Sequence, residues 1–205
     1  MKRQPVMKLL KKLSDILVNL TVVGAENVPL EGAYLVATSH ISRLDTPFLM
    51  LSTPRQNIIG IVAREYEKAP FFGSFLNMLG VVWITREEYD RNAFREASNY
   101  LKDGWIVGIA PEGKRSKTKQ LLEGKSGAAL LALRNKVQII PAAVIGTTEV
   151  FKDFLRLKKG QVKVTFGKAF ALPEGNEEND NKALLKQATD EIMCRIAILL
   201  PQENR

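Results

Sequence analysis

After residue 20 this chain alternates short apolar runs with segments of helical periodicity, and few architectures accept that alternation. The runs Leu20–Gly24, Tyr34–Thr38, Ile58–Ala63, Val81–Thr85, Trp105–Ala110, Val137–Ile145 and Val162–Gly167 read as strands. Between and after them Thr46–Ser52, Arg91–Lys102, Lys125–Asn135 and Asn181–Leu199 read as helices, with Pro47 suited to a first helical turn and Gly104 to a helix stop. The pattern predicts an α/β domain. Pro173 to Asn181 is polar and acidic and reads as a surface loop. No repeat or interdomain linker breaks the pattern, and 205 residues are enough for one domain with a full core.

Residues 1–20 form a separate unit in this reading, ahead of a domain over 21–205. Val6, Leu9, Leu10, Leu13, Ile16, Leu17 and Leu20 recur at helical spacing, opposite Lys2, Arg3, Lys8, Lys11, Lys12 and Asp15. Such an amphipathic helix suits an anionic membrane interface, and equally a helix docked on its own core with solvated lysines. The longest uncharged run, Ala69 to Thr85, is short for a spanning helix and is broken by Pro70, Gly73 and Gly80, so no transmembrane helix is expected. Nor does the N-terminus show the unbroken apolar stretch and cleavage site of a secretory signal.

Charge and rare residues narrow the chemistry. Lys and Arg number 30 against 22 Asp and Glu, a formal charge of +8 that favours an anionic partner: nucleic acid, an acidic membrane or a phosphorylated substrate. Zinc-finger spacing and an aromatic stacking platform are both missing, so nucleic acid is not expected. Cys194 and His40 are the single cysteine and the single histidine, which rules out an internal disulfide and argues against a metal site of the usual ligands. Imidazole chemistry runs through His40 or not at all.

Two segments concentrate reactive groups. Ser39-His40-Ile41-Ser42-Arg43-Leu44-Asp45-Thr46-Pro47 joins a strand to a helix, where open α/β sheets place their sites. A turn there can bring the Asp45 carboxylate onto His40, fixing the tautomer while the other ring nitrogen takes a proton. Ala110-Pro111-Glu112-Gly113-Lys114-Arg115-Ser116 also follows a strand, and its bases can hold a phosphate where glycine permits close approach. Gly108 to Lys114 has the spacing of a nucleotide phosphate loop, but Arg115 stands where its Ser or Thr belongs and Glu112 would face the phosphates. Gly124-Lys125-Ser126 has the ending of such a loop with Lys119 in place of its first glycine. Nucleotide binding is therefore disfavoured. Gly80-Val81-Val82-Trp83-Ile84-Thr85-Arg86 is a strand ending in a base, and Ile140-Pro141-Ala142-Ala143-Val144-Ile145-Gly146 reads as a buried strand.

Taken together these blocks resemble the 1-acylglycerol-3-phosphate acyltransferase family, and more broadly the glycerolipid acyltransferases. His40 and Asp45 match its H-x-x-x-x-D block; Gly80 to Arg86 match G-x-x-x-I-x-R; Glu112, Gly113, Arg115 and Ser116 match P-E-G-x-R-S; Pro141 matches the last block. Ser39, Arg64, Ala110 and Lys114 depart from the usual asparagine, lysine, phenylalanine and threonine. The resemblance implies a mixed central sheet flanked by helices, and acyl transfer from a thioester, acyl-coenzyme A or acyl-acyl carrier protein, to a phosphorylated lysolipid. It implies no cofactor and no metal. His40 would be the general base and Asp45 its partner; Arg86, Glu112 and Arg115 would hold the glycerol phosphate, the arginines pairing with phosphate and Glu112 with a hydroxyl or an arginine, with Gly113, Lys114 and Ser116 beside them. The oxyanion contact would come from a backbone N–H or from a base such as Arg64. The cytoplasmic face of a membrane is the expected location, with peripheral or monotopic attachment. Two alternatives stay open: the same chemistry on glycerol 3-phosphate, another lysophospholipid or a glycolipid, and a non-enzymatic binder of anionic membrane or nucleic acid. No G-x-S-x-G elbow supplies a nucleophile, which favours direct transfer.

Overall fold

The computed structural model describes residues 3–85, 90–173 and 181–205. Helix α1 (Arg3–Leu17) leads into strand β1 (Val18–Val23), followed by β2 (Tyr34–Thr38), α2 (Asp45–Ser52), β3 (Ile58–Ala63), α3 (Phe72–Leu79) and β4 (Val81–Ile84). The chain continues through α4 (Arg91–Lys102), β5 (Ile106–Ile109), α5 (Gly127–Asn135), β6 (Gln138–Ile145), α6 (Val150–Leu155), β7 (Gly160–Phe166) and α7 (Asn181–Leu199). The expected strands are all present within a residue or two, and the expected mixed sheet with flanking helices is what forms.

The sheet has seven strands in the order β1-β7-β6-β2-β5-β3-β4, all pairs parallel except β6 with β7. Its central strands are apolar throughout because both faces are covered. Along β2, Leu35 and Ala37 pack on one face and Val36 on the other; along β6, Ile139 and Ala143 oppose Ile140, Ala142 and Val144. Helices α4, α5 and α7 cover the first face through Ala97, Ala129, Leu131, Ile192 and Ile196. Helices α1, α2, α3 and α6 cover the second, through Leu10, Leu49, Leu76 and Val150 among others.

Local chemistry explains the boundaries. Asp90 caps α4 by accepting from the Ala93 N–H at 3.0 Å, and Gly104 turns the chain out at φ 75°. Helix α5 begins at Gly127 rather than at the expected Lys125, because the Lys125 N–H donates to the Pro111 carbonyl at 2.8 Å and stays in the loop. Helices α3 and α6 were not anticipated. α3 lies inside an uncharged run interrupted by glycines, with no charged face to set it off, and α6 is only six residues, under two turns.

At one point the sheet divides. β3 pairs with β5 only as far as Gly60 opposite Gly108; beyond them β3 pairs with β4 through Ala63, while β5 stays with β2 through Ile109. The fork sits at the carboxyl ends of these strands. A Cβ on Gly60 would come within 2.8 Å of the Thr46 methyl, so glycine is what lets α2 lie against the fork.

Candidate active site

Three adjacent parallel strands, β6, β2 and β5, deliver their following loops to the same edge of the sheet. The loop after β2 carries His40 and Asp45, the loop after β5 carries residues 110–116, and the loop after β6 carries Thr147. The tight turn expected between His40 and Asp45 is present. The His40 Nδ1 lies 3.0 Å from Asp45 Oδ2, and the same oxygen accepts the backbone N–H groups of Ile41 and Ser42, each at 2.7 Å. Asp45 Oδ1 accepts from the Thr147 hydroxyl at 2.6 Å. Four donors thus fix a carboxylate that is 0% exposed. With Nδ1–H turned to Asp45, the lone pair of Nε2 is free to accept a proton. The His40 side chain keeps 17% of its surface open.

That opening gives onto a cavity of about 420 Å³ at the sheet's fork. Its walls come from both layers: Leu49, Met50 and Leu76 on one side, Ala97 and Leu131 on the other, with Gly108 between. Such a volume and lining are those of a small-molecule site for an apolar ligand. Cations stand where the cavity opens. Arg43, Arg115 and Lys125 all line it and are all exposed. Arg43 lies 5.2 Å from the centre of the Tyr66 ring and 6.0 Å from that of Phe72, and Arg115 donates to the Tyr66 hydroxyl at 3.2 Å. Gly113 is left-handed at φ 66°, and a Cβ there would come within 3.2 Å of the Lys125 side chain. Glycine keeps that lysine's path across the loop open.

The other sequence candidates fall in different places. Glu112 is 1% exposed and points inward; its two oxygens accept the backbone N–H groups of His40 at 2.8 Å and Leu122 at 2.9 Å. It reaches no arginine among the described residues, and burial pushes its carboxyl above the usual glutamate value. Its work is to clamp the β2 and β5 loops together. Ser116 does the same, donating its N–H to the His40 carbonyl at 2.8 Å while its hydroxyl pairs with Thr118 at 3.2 Å. Lys114 is exposed and does not line the cavity. Arg64 is exposed, pairs with Glu67 at 3.3 Å and is not among the residues that line the cavity. Arg86 lies outside the described residues. Thr147, Arg43 and Tyr66 were missed by motif reasoning. Arg43 sits inside the H-x-x-x-x-D block itself, and an arginine there was the available signal.

A buried carboxylate holding an imidazole at the rim of an apolar, cation-edged cavity is a site that can take a proton from a hydroxyl beside an apolar ligand. The fold has a solved counterpart: the crystal structure of the 1-acyl-sn-glycerophosphate acyltransferase PlsC from Thermotoga maritima superposes with a TM-score of 0.67 at 23% identity, over 96% of this chain and 80% of that one. A 1-acyl-sn-glycerol-3-phosphate acyltransferase of Bacillus subtilis is 28% identical over 158 residues, 77% of either chain. One from Helicobacter pylori is 30% identical over 139 residues, 66% of this chain and 57% of its own. The Acyltransferase family model matches residues 19–145, which carry β1 to β6 and the His40, Asp45 and 110–116 segments. The chain belongs to the acyltransferase family and is an enzyme.

Proposed function

We propose that this enzyme transfers a fatty acyl group from a thioester, acyl-coenzyme A or acyl-acyl carrier protein, to the free hydroxyl of 1-acylglycerol 3-phosphate, giving phosphatidic acid. The observation that carries this reading is the His40–Asp45 pair at the mouth of the 420 Å³ apolar cavity. The acyl chain lies in the cavity and the thioester carbonyl at its mouth. His40 Nε2 takes the hydroxyl proton as the oxygen attacks that carbonyl, and Asp45 stabilises the resulting imidazolium. Collapse of the tetrahedral intermediate breaks the C–S bond, and the imidazolium returns the proton to the departing thiolate. Such general-base assistance is worth about 10²–10⁴ in rate. No cofactor is needed, since the thioester carries the activated acyl group.

Arg43, Arg115 and Lys125 supply positive charge for the acceptor phosphate, with Arg86 a further candidate from the sequence. Their chemistry suits glycerol 3-phosphate as well, so the acceptor is what the experiment must decide. An amphiphilic acceptor supports work at a membrane surface, for which we propose the cytoplasmic face; no helix among the described residues is long and apolar enough to cross a membrane. Purified enzyme is incubated with each donor and a panel of lysophosphatidic acid, glycerol 3-phosphate and neutral lysolipids, and products are read by mass spectrometry. Phosphatidic acid from lysophosphatidic acid is the expected product. Acylation confined to another acceptor, or none at all, overturns the reading.

A further inference from the structure

Exposed apolar side chains are distributed unevenly over this molecule. On α1 the leucine stripe is split: Val6, Leu10 and Leu17 pack inward, while Leu9, Leu13 and Ile16 are 58%, 43% and 58% exposed. The same helical layer exposes Phe71 and Met78 at α3. Its largest concentration lies in and after α6, where Phe151, Phe154, Leu155 and Leu157 stand open within seven residues. The opposite layer, α4, α5 and α7, contributes Ile198 to this set.

The α6 segment is the unexplained part. Leu157 is 96% exposed; its left-handed φ of 56° closes α6, its N–H donating to the Phe154 carbonyl at 3.0 Å and that of Lys158 to the Asp153 carbonyl at 2.9 Å, but its side chain is left standing in solvent. Lys152 and Arg156 stand between the apolar groups and Lys158 and Lys159 directly after them, all exposed. The acids here are Glu149, already paired with Lys119 and Lys152, and Asp153. Aromatic and leucine side chains interleaved with bases are what an anionic lipid interface accepts: apolar groups enter the acyl boundary while the cations meet the headgroups. The segment also adjoins α1. Lys159 Nζ donates to the Asp15 carbonyl at 2.8 Å, and Gly160 pairs with Val18 at the end of that helix.

We infer that residues 150–159 are a second membrane-docking element, which together with the outer face of α1 seats the enzyme on an anionic lipid surface. The inference rests on the lipid-handling function proposed above and on α1 as the first contact. Two attachment points on one layer fix orientation as well as affinity, which a single helix cannot do.

The test is co-sedimentation with vesicles of phosphatidylglycerol and phosphatidylcholine, and of phosphatidylcholine alone. The variant Phe151→Ser/Phe154→Ser/Leu157→Gly removes exposed groups only, and glycine suits the left-handed position, so the fold is kept. A second variant, Leu9→Ser/Leu13→Ser/Ile16→Ser, probes α1. Wild type is expected to prefer the anionic vesicles. The α6 variant is expected to bind them at least about tenfold more weakly, with turnover on a short-chain, monomeric lysophosphatidic acid unchanged. If wild type binds and the α6 variant binds equally, the inference fails while the α1 reading stands. If wild type ignores vesicles, membrane docking fails altogether. A dimer in sedimentation velocity without lipid, lost in the α6 variant, assigns the patch to a second copy of the chain and also overturns it.

Discussion

At the residue scale the site turns on how Asp45 is held. Its Oδ2 takes three donors from its own turn, but Oδ1 depends on Thr147, 102 positions away in sequence. A hydrogen bond to a charged group contributes about 1.5–3 kcal/mol, so Thr147→Val, nearly isosteric, should lower kcat about 10- to 100-fold by letting the carboxylate turn. KM should change little, and Thr147→Ser should restore most of the rate. Equal losses in Val and Ser variants, or a change confined to KM, would show that the hydroxyl does not act through Asp45. The spacing of His40 and Asp45 at a strand end is weak by itself; the pair was legible because three further blocks stand in family order with it and His40 is the chain's one histidine. Thr147 was not legible, since one threonine among many carries no mark until β6 is placed beside β2. Glu112 was legible as a member of a block but not in its orientation, which depends on two backbone N–H groups from separate loops.

The elements show which signals survive in short segments. Long strands and the helices Arg91–Lys102 and Asn181–Leu199 could be read from period, caps and stops. α3 could not, since it lies in an uncharged run with no charged face to mark it, and α6 could not at under two turns; α2, as short as α3, was marked by Pro47. α1 was read correctly as amphipathic, but a single apolar stripe could not reveal that half of it faces outward. The Asp90 cap illustrates a junction with a pH signature. Its carboxylate accepts from the Ala93 and Thr85 N–H groups, each at 3.0 Å, which ties the end of β4 to the start of α4. Those bonds, Ala93 first, hold its carboxyl below the ordinary value of 3.8. The stabilisation is therefore present above that value and is lost as pH falls through the lower folded-state value. Asp90→Ala should cost about 1 kcal/mol near neutral pH, a difference that shrinks on acidification to about pH 2. Denaturant unfolding at the two pH values measures it; a gap independent of pH would mean that the charge is not involved.

Across the whole molecule, chemistry and stability are placed at opposite ends of the sheet. The carboxyl ends of β2, β5 and β6 carry the site, whereas the loops before the strands are fastened by Arg55. This arginine is 6% exposed; it donates to the carbonyls of Pro29 at 3.2 Å, Gly32 at 2.7 Å and Gly104 at 2.6 Å, and to Asn57 at 2.9 Å. Arg55→Met should strand those carbonyls and cost about 3 kcal/mol, lowering Tm by roughly 6–12 °C while the residual folded enzyme keeps its kcat. A loss of kcat with Tm intact would contradict that division. Strand order, the fork at Gly60 and Gly108, and hence the cavity, depend on pairings between distant segments and so were invisible in sequence. The α/β class was visible because alternation needs only local periods. The central claim, that His40 is the base for direct acyl transfer, is tested most directly by comparing His40→Ala with wild type in a continuous thiol-release assay at saturating donor and acceptor. His40 is partly open and its backbone anchors the loop, so Tm should stay within a few degrees. The account predicts that turnover falls by about 10²–10⁴. Turnover within a factor of a few of wild type, in a variant that remains folded, would contradict it.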